Sequence, residues 1–78
     1  MKLIVLNLPR SFSEDDLAKL FKAHGNIKDC NVVMDAKTGA SKGFGFVTMA
    51  LKHEGEIAVK ELNGKILDKK KIRVKAAE

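Results

Sequence analysis

The sequence predicts a small α+β domain in which two helices cover one face of a four-stranded antiparallel sheet. Its 78 residues are enough for a single domain with one core. Four short segments are either continuously apolar or alternate apolar and polar residues, as strands do, and two other segments repeat apolar residues at helical spacing. A short turn joins the second and third strands, so these two must pair as an antiparallel hairpin.

The first half of the chain begins with a strand and continues into a helix. Residues 2–7 form a short apolar run closed by Asn7-Leu8-Pro9, which is typical of a buried strand. Ser13 is a favourable helix N-cap, and Asp16 stands where a capping box needs an acidic side chain. We expect Gly25 to end this helix, because glycine is favoured just beyond helix C-termini.

The second half of the chain completes the order of elements. We expect strands over 27–34, 44–49 and 71–75, a turn over 35–41 and a second helix over 54–62, which includes Ile57, Ala58 and Leu62 on its apolar side. In the last strand, Ile72 and Val74 should point inward. The resulting βαββαβ order is the split βαβ, or ferredoxin-like, arrangement, with both helices on one face and the other face open to water.

Composition favours a soluble globular domain, with 45% hydrophobic and 32% charged residues. No apolar run approaches the roughly 20 residues that a membrane-spanning helix needs. The net charge is +5, of which residues 1–59 contribute +1 and residues 60–78 contribute +4. This C-terminal excess fits a local anion-binding surface, but it equally fits a solvated lysine-rich edge that prevents strand aggregation.

The third strand is predicted to place two aromatic rings on the face of the sheet that the helices do not cover. Alternation sends Phe44 and Phe46 to one face, and Val47 and Met49 to the face that the helices cover. Exposed rings lose burial energy, whereas stacking on nucleobases is worth about 1–3 kcal/mol per base. Glycines on both sides of Phe44 leave room for close backbone approach. The open face is therefore a candidate surface for nucleobases.

Residues 42–49, Lys-Gly-Phe-Gly-Phe-Val-Thr-Met, resemble the eight-residue signature of the RNA recognition motif family, and residues 3–8 resemble its six-residue signature. Residues 35–39, 58–64 and 72–74 also resemble that family, so the likeness covers nearly the whole chain. The chain is identified as one RNA recognition motif domain over residues 1–78. It looks like the small single-domain members found in bacteria, which implies a compact, cytoplasmic and in any case intracellular protein.

The resemblance implies non-catalytic binding of single-stranded RNA. In the family, the positions of Phe44 and Phe46 contact bases and sugars, and the position of Lys42 pairs with a phosphate. The other positions that the resemblance places on the RNA-binding face are Ile4, Asn31, Val33, Lys71, Arg73 and Lys75. It also implies weaker binding of single-stranded DNA, a monomeric state, and no cofactor, metal or membrane.

Three positions depart from the family pattern. Ile4 is aliphatic where the family usually stacks a base on an aromatic ring, so one stacking platform is missing. Met49 replaces the usual aromatic residue at the end of the octamer, at a position that we expect to lie in the core. Lys69 stands where a glycine is common before the last strand.

Two rival functions belong to other classes. A protein-interaction module could use the aliphatic side chains of Ile4, Leu6 and Val33 on the open face. A small ferredoxin-like enzyme would need a set of catalytic residues, and the sequence contains no such set. Cys30 should lie on the core face with Val32 as a structural thiol, and neither histidine has a metal-ligand companion at usable spacing.

Overall fold

The computed structural model describes residues 1–77 and contains the predicted split βαβ core together with one additional hairpin. Its elements are β1 (Lys2–Leu6), α1 (Glu14–Lys22), β2 (Ile27–Met34), β3 (Ser41–Met49), α2 (Lys52–Leu62), β4 (Ile66–Leu67), β5 (Lys70–Lys71) and β6 (Arg73–Ala76). Within these residues, neither helix is long and apolar enough to cross a membrane.

The main sheet has the strand order β2-β3-β1-β6, and every neighbouring pair is antiparallel. The two strands that carry the family-like signatures, β1 and β3, are therefore the central pair. Strands β2 and β6 form the edges. The fold predicted from the order of elements is confirmed.

The core lies between this sheet and the two helices, so one face of the sheet is covered. Its fully buried side chains come from both layers, among them Leu3, Val5, Val47, Met49, Ile72 and Val74 from the sheet side and Leu17, Phe21, Ala58 and Leu62 from the helices. The inward positions of Ile72 and Val74 and the core position of Met49 agree with the alternation of the sequence.

Helix α1 begins as its sequence predicts. The Ser13 hydroxyl accepts a hydrogen bond from the Asp16 backbone N–H at 3.2 Å, and the Asp16 carboxylate accepts one from the Ser13 N–H at 3.1 Å. These reciprocal bonds satisfy two N–H groups that a helix start otherwise leaves unpaired. The helix ends at Lys22, with Ala23 as its C-cap, so Gly25 lies in the following turn rather than at the helix end.

The structure corrects several predicted boundaries. Strand β3 begins at Ser41 and helix α2 at Lys52, earlier than expected in both cases. Ile57 is 47% exposed and does not belong to the apolar side of α2. The last strand begins at Arg73, not at Lys71, because the chain first folds back as the β4–β5 hairpin.

Candidate nucleic-acid interface

A single row of side-chain positions crosses all four strands on the open face of the sheet. Phe46 in β3 pairs with Asn31 on one side and with Ile4 on the other, and Ile4 pairs with Lys75 in β6. Four of the predicted site residues are thus brought together, although they are spread from position 4 to position 75 of the chain. The position of Ile4 beside the aromatic pair agrees with the sequence-based expectation.

The two aromatic rings on this face contact each other edge to face. The ring centroids of Phe44 and Phe46 are 6.2 Å apart, and their planes differ by 82°. Both side chains are half-buried rather than fully exposed. An edge-to-face pair contributes about 0.5–1.5 kcal/mol beyond its area burial, which helps hold two apolar rings on a solvated face. Because the planes are nearly perpendicular, two planar ligands stacked on them would also lie at a steep angle.

A cation already occupies one face of the Phe46 ring. The Lys2 ammonium nitrogen lies 4.9 Å from the ring centroid, within the range of a cation–π interaction. Lys2 pairs with Thr48 across the sheet, and Thr48 pairs with Asp29, so a polar row borders the row that contains Phe46. Our sequence analysis missed Lys2, although its two-residue spacing from Ile4 places both side chains on the same face.

Two glycines shape the backbone around Phe44. Gly43 has a φ of 86°, a backbone conformation that residues other than glycine rarely adopt. Its N–H donates to the Ser41 hydroxyl at 3.0 Å. At Gly45, an added Cβ would lie 2.6 Å from the backbone oxygen of Asn31, closer than any real contact. The predicted close backbone approach is present at Gly45, whereas at Gly43 the backbone conformation, not the space, disfavours a larger residue.

The remaining predicted basic residues divide between two regions. Arg73 in β6 pairs with Leu6 in β1, and it shares the open face with Lys75 two residues further along. Lys71 lies instead in the separate β4–β5 sheet, which corrects its predicted place on the outer face of the last strand. Val33 is half-buried at the end of β2, where the pairing with β3 is irregular.

Lys42 lies at the beginning of β3, next to Arg10, a residue that our sequence analysis did not single out. Both line the recesses that flank Phe44, and Lys70 lines one of them. Arg10 follows Pro9 in the loop after β1. That loop has no periodic pattern, so only the tertiary structure shows its closeness to Lys42.

Cys30 is half-buried on the helix side of β2, as expected for a structural thiol. Burial raises the pKa of this thiol to about 11, and the negative charges of Glu14, Asp29 and Asp15 contribute to the same shift. The thiol also donates to the Glu14 carbonyl, with the sulfur 3.7 Å from the oxygen. At neutral pH it is protonated and therefore a poor nucleophile.

Comparison with known proteins agrees with this geometry. Residues 3–73 match the family model described as the RNA recognition motif. The chain is 47% identical over 76 residues to the 29 kDa chloroplastic ribonucleoprotein B of Nicotiana sylvestris, covering 97% of this chain and 26% of that protein. It is 42% identical over 77 residues to the 28 kDa chloroplastic ribonucleoprotein of Spinacia oleracea, covering 99% of this chain and 33% of that protein.

A solved Sxl-lethal protein–RNA complex superimposes with a TM-score of 0.94 at 36% identity, covering 99% of this chain and 46% of that one. The chain therefore spans only about a quarter to a third of the length of the curated relatives described above.

The relatives correct one expectation about location. Both are named as chloroplastic ribonucleoproteins, which contradicts the cytoplasmic expectation and gives no support to a bacterial source. The cytoplasmic prediction was wrong because it depended on a likeness to bacterial proteins. The single cysteine of the chain could not correct it, since a free thiol is compatible with any reducing compartment.

Proposed function

The chain belongs to the RNA recognition motif family, and we propose that residues 1–78 form one such domain, which binds single-stranded RNA across its open sheet face. The observation that carries this proposal is the row of Asn31, Phe46, Ile4 and Lys75, which combines an aromatic platform with polar and cationic neighbours. Such a combination suits a strand of nucleotides, because bases need ring faces and phosphates need cations.

In this proposal one base stacks on Phe46 and a neighbouring base on Phe44. Since the two ring planes differ by 82°, the RNA backbone must turn between these bases. The base on Phe46 replaces the Lys2 ammonium, which then turns to a phosphate oxygen or to the base edge. Asn31, at the neighbouring position on β2, can both donate and accept hydrogen bonds at the edge of that base.

Phosphate contacts come from cations around the aromatic pair. Lys42 lies beside Phe44, and Arg73 and Lys75 lie on the edge strand β6. Strand β1 lies between β3 and β6, so these cations are arranged as a path across the sheet rather than around a single anion site. Single-stranded DNA should bind more weakly than RNA, because it lacks the 2′-hydroxyl that these polar groups can contact.

The geometry favours RNA over the rival functions. The aliphatic side chains of Ile4, Leu6 and Val33 are only half-buried on the open face. Two of them pair with cationic residues of β6, Ile4 with Lys75 and Leu6 with Arg73, which suits a nucleic acid better than an apolar protein surface. The large apolar side chains exposed among residues 1–77 are Met34, Leu51, Ile57 and Ile66, which lie elsewhere. We propose that the domain acts as a monomer and by binding alone, without catalysis.

The test measures the affinity of short single-stranded RNA for Phe44→Ala and Phe46→Ala. Each substitution should weaken binding by about 1–3 kcal/mol, the usual contribution of one stacked base. Ile57→Ala is the matched control, because this side chain is 47% exposed on α2, away from the open face of the sheet. Circular dichroism and thermal unfolding should show that each variant remains folded.

Two further measurements separate this proposal from its rivals. A duplex of the same RNA sequence should compete poorly, because base pairing and stacking cover the faces that the rings would contact. Sedimentation should show one copy of the domain per RNA. If both phenylalanine variants bind RNA as tightly as the unmodified domain, base stacking on this face is refuted.

A further inference from the structure

Phe44 lines two recesses at one end of the sheet, and the same two cations, Arg10 and Lys42, line both of them. Arg10 and Lys42 contribute to each recess, and Lys70 contributes to the recess that also contains Leu6. These three residues come from the β1–α1 loop, the beginning of β3 and the β4–β5 hairpin. We refer to Arg10, Lys42 and Lys70 as the basic cluster.

Two hydrogen bonds bring the basic cluster together. The Leu8 N–H donates to the Gly43 carbonyl at 2.7 Å, which holds the β1–α1 loop against the beginning of β3. The Asn7 side-chain amide donates to the Lys71 carbonyl at 2.9 Å, which holds the hairpin against the same loop. Asn7 has a φ of 59°, which asparagine tolerates better than most residues. The convergence is thus built by specific hydrogen bonds to backbone carbonyls rather than by chance overlap of long side chains.

The charges of the basic cluster are not balanced by ion pairs within residues 1–77. None of its three side chains makes a hydrogen bond or an ion pair there. Asp35 lines the second recess, but its Oδ1 accepts the backbone N–H groups of Lys37 at 2.8 Å and Thr38 at 3.2 Å. That carboxylate therefore holds its own turn, and the first recess has no acidic side chain in its lining.

We propose that the basic cluster binds the phosphate of a further nucleotide, beyond the one on Phe44, and so extends the RNA path off the sheet between the β1–α1 loop and the hairpin. The inference rests on the proposed function, because it takes single-stranded RNA on the open face as the ligand. The Arg10 guanidinium can contact two phosphate oxygens at once, and the two lysines add point charges.

The experiment pairs protein variants with RNA in which one phosphate at a time is neutral. A defined single-stranded octamer, selected from a random pool, is made with a methylphosphonate at each linkage in turn. One linkage should weaken binding to the unmodified domain about tenfold when neutralised, as expected for a charge-assisted contact. With the Arg10→Ala/Lys70→Ala variant, neutralising that same linkage should have little further effect.

Two controls make the result specific. Lys19→Ala/Lys60→Ala removes the same charge from exposed positions on the helices, and it should leave sensitivity to that linkage unchanged. Asp35→Asn keeps an oxygen that can accept from its turn but removes a negative charge beside Arg10, so it should tighten binding severalfold.

The outcomes distinguish this inference from the proposed function. If every linkage has the same effect in the Arg10→Ala/Lys70→Ala variant as in the unmodified domain, the basic cluster binds no phosphate, even where the Phe44→Ala and Phe46→Ala variants show that stacking holds. If the phenylalanine variants bind normally while one linkage still depends on Arg10, the stacking proposal fails and the phosphate contact stands.

Discussion

At the scale of single residues, Ile4 is the position where this domain departs most from its family in a functional sense. Its side chain lies between Phe46 and Lys75, in the centre of the row that crosses the sheet. It can contact a base through van der Waals forces but has no π-face for stacking. The chain therefore offers two aromatic platforms on a face that could hold three.

Replacing Ile4 with phenylalanine should add the missing platform. We expect Ile4→Phe to tighten single-stranded RNA binding by about 1 kcal/mol, the low end of the contribution of a stacked base, because the neighbouring positions are adapted to an aliphatic side chain. Binding is measured at one fixed salt concentration by fluorescence anisotropy.

Ile57→Phe is the control for this substitution, since it adds a ring to a side chain that is 47% exposed on α2, away from the open face. It should leave the affinity unchanged. A folded Ile4→Phe variant that binds RNA no better than the unmodified domain would count against bases lying at this position. It would favour a surface shaped for a protein partner.

At the scale of elements, the β4–β5 hairpin adds two short strands to the predicted fold, and the turn that joins them is strained. Leu67 pairs with Lys70, and the two residues between them, Asp68 and Lys69, have φ values of 45° and 67°. Two-residue hairpin turns of this kind need positive φ at both central positions, where Asp is tolerated and Lys is not favoured. The hairpin nevertheless forms, and Lys70 and Lys71 are thereby placed outside the main sheet.

Relieving this turn should stabilise the domain. We expect Lys69→Gly to raise the free energy of unfolding by up to about 1 kcal/mol, because glycine adopts the left-handed conformation without the steric cost of a Cβ. Urea denaturation measures the change. Lys69→Ala is the matched control, since it removes the same charge but keeps the Cβ. Equal stabilisation by both variants would show that charge, rather than backbone strain, limits this turn.

At the scale of the whole molecule, the basic excess of residues 60–78 is distributed over two surfaces. Arg73 and Lys75 lie on the open face through the register of β6, whereas Lys70 lies beside the β1–α1 loop. The sequence left open whether this charge binds an anion or only keeps an edge strand soluble. The pairing of Lys75 with Ile4, beside an aromatic ring, favours the first interpretation.

Salt dependence tests this distribution of charge. Each phosphate contact on a single strand contributes about 0.7 to the slope of log affinity against log salt concentration. Removing Lys42, Arg73 and Lys75 together by substitution with alanine should therefore reduce that slope by about 2. Alanine at Lys19, Lys22 and Lys60, on the two helices, removes the same total charge and should leave the slope nearly unchanged. Equal slopes for the two triple variants would place the phosphate path elsewhere.

Local sequence patterns by themselves determined the order of the two helices and the four strands of the main sheet, most residues of the core and the face of the aromatic pair. The capping box at Ser13, the alternation in β3 and the inward positions of Ile72 and Val74 depend on near neighbours in the chain. Short-range sterics and hydrogen bonds are enough to specify such features. For that reason the fold and the pair formed by Phe44 and Phe46 were predictable from sequence.

The tertiary structure alone decided which residues meet across the sheet and at its end. The partners of Phe46 follow from strand register, and the two positive-φ residues of the hairpin move Lys71 away from the last strand. Arg10 reaches Lys42 and Lys70 only because Leu8 and Asn7 bond to residues far along the chain. No local pattern specifies contacts of that length, since their free energy depends on the whole fold being formed.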